Sequence, residues 1–292
     1  DAISILETFD TLLENPALLE ELEGYLVEAQ KKSGKGAKLL YSLIGSMHSG
    51  VAVSNKEFFD KLHEKYPAFY PLLLKHEELV NKDDEIIQQY FFYDDSDGHS
   101  SYENFLRTYG LWDKKTSNGW TKTEFKKKGY ILLRKTKNGV TILKYANMPG
   151  LDMEGIEAVQ EALKKKDLST IEIVHRGHRY HVGTTLDYLP SSARVVYLGS
   201  CGGFNNLTSV LRVAPNSHII ATKGEGTKVV NDALLKMLDE TMLKGNGVKW
   251  NKLWGEAEER FRDKRFQDYV NPADNIAVGF IGAVRKYEGT DQ

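Results

Sequence analysis

Cys201 is the only cysteine in the 292 residues, and it closes an apolar run, Val195-Val196-Tyr197-Leu198-Gly199-Ser200-Cys201, just before Gly202-Gly203. A thiol at the mouth of a buried strand, followed by glycines, is a candidate nucleophile. A second apolar run, Ile171-Glu172-Ile173-Val174, opens into His175-Arg176-Gly177-His178-Arg179-Tyr180-His181. Neighbouring strands that deliver a histidine loop and a cysteine loop to one edge of a sheet would bring base and nucleophile together. A thiol with pKa near ~8.5 is only a few per cent thiolate at neutral pH; a nearby imidazole raises that share and later protonates the leaving group.

The same residues admit other chemistry. His175, His178 and His181 stand three apart, and three imidazoles can hold a catalytic zinc. That spacing needs a helix to put them on one face, whereas Gly177 directly after a strand points to a loop, so neither metal nor other cofactor is expected. A lone cysteine at a strand end also packs as a small hydrophobe. Asp95, Asp97 and Gly98 match part of an EF-hand loop, but with Gly98 as the central glycine the last ligand position falls on Asn104, where Glu is required. The segment reads as a polar turn capping the next helix, or as a looser calcium site. Gly34-Lys35-Gly36 follows no strand and lacks the Gly-Lys-Ser/Thr ending of a phosphate loop, and Gly224-Glu225-Gly226 lacks the full dinucleotide spacing and reads as a flexible loop beside the active site.

Regular elements must position these groups. Residues 1–83 read as helical: Leu12, Leu13, Leu18, Leu19, Leu22, Leu26 and Val27 form a stripe, with Asn15-Pro16 as a helix start. Lys31 to Lys38, with its two glycines, breaks the stripe. Further helical spacing appears at Leu39, Leu40, Leu43 and Ile44, at Phe58, Phe59 and Leu62, and at Phe69, Tyr70, Leu72 and Leu73, with Ser54 and Glu57 as a capping box. After the charged break at Asn81-Lys82-Asp83-Asp84-Glu85 the pattern changes. Ile86 to Tyr93 reads as a strand ending in a turn at Asp94–Gly98, followed by a helix over 99–109. Two strand runs flank Asn138-Gly139, a hairpin signal. A helix over 152–166 leads into strand–helix alternation: strands at 171–174, 195–198 and 218–221, helices near 184–189, 207–213 and 229–243. Short buried strands separated by amphipathic helices imply an α/β fold, a mostly parallel sheet with helices on both faces. Ligands of such sheets bind at the carboxyl ends of the strands, where the His loop and Cys201 fall. The expected domains are 1–83, helical, and 84–292, α/β.

Composition narrows the function classes. At 41% hydrophobic and 11% aromatic residues the chain can build a packed core. A net charge of −2, with lysine runs beside acidic neighbours, argues against nucleic-acid binding. No stretch approaches the ~20 apolar residues that span a bilayer. One cysteine forms no internal disulfide and fixes no redox compartment.

The residues Gly177-His178 and Gly199-Ser200-Cys201 resemble the caspase-like cysteine peptidases, the group of caspases, metacaspases, gingipains, clostripain, legumain and separase. That group shows a hydrophobic strand leading to His, usually within Gly-His-Gly or a close variant, then another leading to a small residue and Cys. The resemblance covers roughly residues 85–290. It implies a caspase-like sheet, cleavage of a peptide or protein substrate through a thioacyl intermediate on Cys201, and His178 as general base, with His175 the competing base if the motif is read from the strand end. The Cys201 and Arg179 amides would cradle the oxyanion, with Gly177 and Gly202 shaping the loops, although Arg179 stands where the family most often has Gly or Ser. Pockets in this family draw on the turn after the first sheet strand, here Asp94, Asp95 and Asp97, and near the Cys loop, where Lys223, Glu225, Asn231 and Asp232 follow the next strand. Carboxylates there would favour a basic residue before the scissile bond. The position two before Cys, acidic in clostripain-type relatives, is Gly199. The runner-up is an inactive caspase-like module whose helical domain binds a protein partner.

Overall fold

The computed structural model describes residues 15–49, 52–67 and 73–288. They fall into two compact units: one from the chain before position 72 and after position 273, the other Leu72–Ala273.

In the first unit, α1 (Pro16–Lys32) starts where the Asn15 side chain accepts from the Leu18 amide and Pro16 occupies the first turn, which needs no amide donor. After Gly34 come α2 (Lys35–His48) and α3 (Lys56–Lys65), each packed on the helix before it, and the chain's last helix, Ile276–Glu288, also packs on α2. Leu19, Leu26, Leu43, Ile44, Phe59 and Leu62 are buried. The expected capping box does not form: Asn55 is the N-cap of α3, while the Ser54 hydroxyl donates to Glu20 at 2.8 Å and its amide to Glu23 at 2.8 Å. Leu12, Leu13, Phe69, Tyr70 and Leu72 lie outside the described residues.

Glu23 is the reason Ser54 turns away. Its buried carboxylate accepts from the amides of Val53, Ser54 and Asn55 at 2.5, 2.8 and 2.9 Å and faces His48 Nε2 at 3.1 Å. Burial works against ionisation, but those amides and His48 outweigh it and hold the carboxyl below its usual range. A lowered folded pKa gives stability present above the unfolded value and lost as pH falls through the folded one. Glu23→Gln, which turns an NH2 toward amide donors, should therefore cost about 1–3 kcal/mol at pH 7. The deficit, read from urea unfolding, should narrow as pH falls through the lowered range of the folded carboxyl, where wild-type Glu23 takes up its own proton.

The second unit runs β1 (Leu73–Leu74), β2 (Glu85–Phe92), α4 (Ser96–Thr108), β3 (Thr116–Ser117), β4 (Trp120–Phe125), β5 (Tyr130–Lys137), β6 (Val140–Asn147), α5 (Asp152–Lys165), β7 (Glu172–Arg176), α6 (Val182–Asp187), β8 (Val195–Leu198), α7 (Leu207–Val213), β9 (His218–Thr222), α8 (Lys228–Met242), β10 (Val248–Lys249), α9 (Trp250–Arg260) and β11 (Tyr269–Val270). Among the described residues, nine strands form one sheet in the order β11-β9-β8-β7-β2-β6-β5-β4-β3. The five from β9 to β6 are parallel; β11 on one side and β5, β4 and β3 on the other run antiparallel.

Helices cover both faces. Ile86, Tyr90 and Phe92 of β2 pack with Phe105 of α4 and Leu234 and Leu238 of α8, whereas Ile87 packs with Val159 and Leu163 of α5 on the opposite face. The Asn138-Gly139 turn takes φ of 53° and 84°, the left-handed pair that a two-residue hairpin requires. Between units the boundary lies earlier than the charged break at 81–85. Leu73 and Leu74 pair with Lys249 and Val248, and Leu74 and Leu79 are fully buried in the α/β core, so this stretch belongs to the sheet unit. The last helix, conversely, belongs with the helical unit. No helix among the described residues is long and apolar enough to cross a membrane.

Candidate active site

Strand β7 continues two residues past the apolar run, because its charged members find partners. Alternation puts Glu172, Val174 and Arg176 on the face that meets α8 and Ile173 and His175 on the other. Val174 joins the α8 leucines, and Arg176, 1% exposed, pairs with Asp232 of α8, its Nη2 lying 3.2 Å from Oδ2. Asn104 of α4 also donates to Asp232.

His175 is turned inward and is 1% exposed. Its Nδ1 lies 2.7 Å from Thr185 Oγ1 of α6, and its Nε2 lies 3.1 Å from the Gly177 carbonyl and 3.2 Å from that of His178. Burial, only partly offset by those carbonyls, pushes its pKa down to about 4. With both ring nitrogens engaged, His175 has no free lone pair for a thiol proton.

His178 leaves the strand and is exposed. Its ring stacks on Tyr180 at 5.2 Å between centroids and makes no hydrogen bond among the described residues. The loop is held from outside by Asp95, the N-cap of α4, which accepts from His181 Nε2 and the Tyr180 hydroxyl, each at 3.0 Å. Burial opposes ionisation of Asp95, but the Gly98 amide, Tyr180, His181 and nearby His178 outweigh it and hold this carboxyl low. Tyr93 stacks flat on His181 at 4.1 Å. Its ring approaches so closely that a Cβ on Gly177 would lie 2.7 Å from it, which is why glycine precedes His178. The three imidazoles thus have separate surroundings, and no three His, Cys, Asp or Glu groups among the described residues could hold a metal ion.

Cys201 is exposed one turn past β8. Its loop is fixed through the backbone: Asn231 Nδ2 donates to the Gly199 carbonyl at 3.0 Å, Thr222 Oγ1 to that of Ser200, and the Gly202 amide to that of Gly224 at 2.9 Å. Asn231 is itself aimed by the hydroxyls of Tyr197 and Tyr269, which donate to its Oδ1 at 3.0 and 2.7 Å. A side chain on Gly199 would collide with Asn231, so this position has room for glycine alone. Gly202 takes φ 66°, turning the chain into the 3-10 segment Gly203–Asn206. The Ser200 hydroxyl is buried with no hydrogen-bond partner among the described residues. The amides of Cys201 and Arg179 donate to nothing among the described residues, whereas that of Gly202 is spent on Gly224.

The two loops share a register. In the parallel ladder of β7 and β8, His175 pairs with Leu198, and His178 and Cys201 each lie three residues beyond that pair. Neighbouring strands stand about 4.8 Å apart, so both leave the same edge side by side.

The five candidate substrate carboxylates are less available than their types suggest. Asp232 is engaged by Arg176 and Asn104, and Asp95 by the His loop. Glu225 pairs with Arg265 at 2.9 Å, and Asp94 bonds His99 at 2.8 Å. Asp97, in the first turn of α4, makes no side-chain bond among the described residues.

No family model, no curated protein and no solved structure matches the chain, so the reading of this edge rests on its own chemistry. Of the residues that build it, Thr185, Tyr93, Thr222 and Tyr269 carry no sequence signal. They act through hydrogen bonds to positions distant in the chain.

Proposed function

We propose that the protein is a cysteine peptidase of caspase-like type that hydrolyses peptide bonds at Cys201. The observation that carries this is the shared register of the two loops, which sends an exposed, unbonded imidazole and an exposed thiol off the same edge of the parallel part of the sheet. Two undonated amides, those of Cys201 and Arg179, support it as oxyanion donors; a donor of this kind contributes on the order of 3 kcal/mol. His178 takes the thiol proton as sulfur attacks the carbonyl carbon, then gives it to the leaving amine. Water next attacks the thioester, its proton passing to His178, and the acid departs as the S–C bond breaks. A preference for a basic substrate residue draws no support from four of the five carboxylates, which are already bonded.

The test is covalent labelling. A set of peptidyl acyloxymethyl ketones, varied at the residue before the electrophile, should modify Cys201 stoichiometrically at pH 7, and His178→Ala should slow this about a hundredfold. Modification no faster than that of free cysteine, indifferent to His178, would favour the non-catalytic module.

A further inference from the structure

His175 is the one buried histidine at the site that the proposed reaction does not use, and its hydrogen bonds can be assigned a direction. The carbonyls of Gly177 and His178 can only accept, so Nε2 carries the proton and donates to both, at 3.1 and 3.2 Å. In the neutral ring Nδ1 is then an acceptor, and Thr185 Oγ1 at 2.7 Å must donate to it. The Thr185 oxygen is left free to accept, and the Tyr93 hydroxyl, 2.6 Å away, donates. The chain reads Tyr93 O–H to Thr185 O–H to His175 Nδ1, then His175 Nε2–H to the two carbonyls on either side of the His178 nitrogen. Thr185 and Tyr93 are 0% and 1% exposed. No water competes for these bonds, and reversing any one of them would leave a buried group unpaired.

We propose that Thr185 and Tyr93 fix the tautomer of His175 and thereby hold the His178 loop in the shape that presents its ring to Cys201. This rests on the cysteine-peptidase reading. His175, Thr185 and Tyr93 touch neither substrate nor the reacting atoms; they are positioning residues that act through His178. The His178 amide lies between the two carbonyls that His175 grips, so the peptide plane setting the direction of the imidazole is clamped from beneath. From outside, Asp95 holds Tyr180 and His181. His178 is the one histidine of the loop whose ring makes no hydrogen bond among the described residues, which leaves a nitrogen lone pair free to take the thiol proton.

The experiment compares Thr185→Val, which keeps the shape and removes the hydroxyl, with Thr185→Ser, which restores it. Using the acyloxymethyl ketones, Thr185→Val should lower the limiting rate of Cys201 modification about tenfold, the effect of a small misplacement of reacting groups, with the concentration for half-saturation changed less than about twofold. Thr185→Ser should return to within about twofold of wild type. In a His178→Ala background Thr185→Val should have no further effect, because what it positions is gone. A long-range proton–nitrogen NMR spectrum should show His175 in its Nε2–H form in wild type and a mixture of tautomers in Thr185→Val. The positioning role is overturned if wild type reacts and Thr185→Val matches its limiting rate, or if the two substitutions add in full. If wild type reacts no faster than free cysteine, the peptidase reading falls first and this one with it.

Discussion

Asp232→Ala should cost the α/β unit about 3–5 kcal/mol, because it leaves the Arg176 guanidinium charged, buried and unpaired. The pair is 1% and 2% exposed, both guanidinium NH2 groups reach the two carboxylate oxygens, and Asn104 donates to the same carboxylate. For a unit of this size, the melting temperature should fall by roughly 2–4 °C per kcal/mol. The effect should also reach the candidate site. Arg176 stands two residues before His178, and Asp232 follows Asn231, whose side chain holds the Gly199 carbonyl at 3.0 Å. The pair therefore ties the strand that leads to His178, the proposed base, to the helix that anchors the loop of Cys201, the proposed nucleophile. Replacing both partners together, as Arg176→Met with Asp232→Leu, should recover most of the loss, since a well-packed apolar pair removes the desolvation cost along with the attraction. Urea unfolding of the two single variants and the double measures this. A single-variant loss under about 1 kcal/mol, or a double no better than Asp232→Ala, would contradict a buried and mutually dependent pair.

That pair also marks where sequence legibility ends. Val195–Leu198 and Ile171–Val174 are apolar enough to read as buried strands, and Gly177-His178 and Ser200-Cys201 follow them at once, so both loops of the candidate site were visible. Asn138-Gly139 announced its hairpin. Strand β7, however, runs on through His175 and Arg176, whose types suggest a solvated loop. They are buried because Thr185, ten residues away, and Asp232, 56 residues away, satisfy them, and single-residue types carry no record of such partners. The same blindness made Asp232 look like a free pocket acid. Strand β4 escaped notice because Thr121, Lys122, Thr123 and Glu124 are polar; its signal was the second Asn-Gly pair, Asn118 and Gly119, with φ of 50° and 79°. In the helical unit, Ser54 and Glu57 had the spacing of a capping box, but Glu23, buried on another helix, outbid Glu57 for the Ser54 amide.

A second buried acid makes the other large prediction. Glu172 opens β7 on the same face as Arg176, beneath a network in which Lys144 Nζ donates to Gln88, to Tyr90 at 2.8 Å and to Asp239 at 2.7 Å. Its Oε2 accepts from Gln88 Nε2 at 2.6 Å, while Oε1 has no partner among the described residues. Burial, with Asp239 adding to it against the pull of Lys144 and the Gln88 bond, pushes the carboxyl up to about 8. The folded value thus lies above the unfolded 4.5. Below pH 4.5 both states hold the proton and the group costs nothing. Between the two values the unfolded chain releases it and the folded chain keeps it, so stability falls by about 1.4 kcal/mol per pH unit, on the order of 3 kcal/mol by pH 7. Glu172→Gln keeps an acceptor for Gln88 and removes the ionisation, and should be more stable than wild type by a few kcal/mol at pH 7, with the difference vanishing near pH 4. Cys201 labelling should be unchanged, because Glu172 sits at the far end of β7 from the His loop. Equal stability at pH 7 and pH 4 would mean that Lys144 holds the carboxylate ionised. A gain at neutral pH that disappears in acid would leave β7 with a neutral acid at one end and a charged pair at the other, both governed by which residue of α8 lies above them.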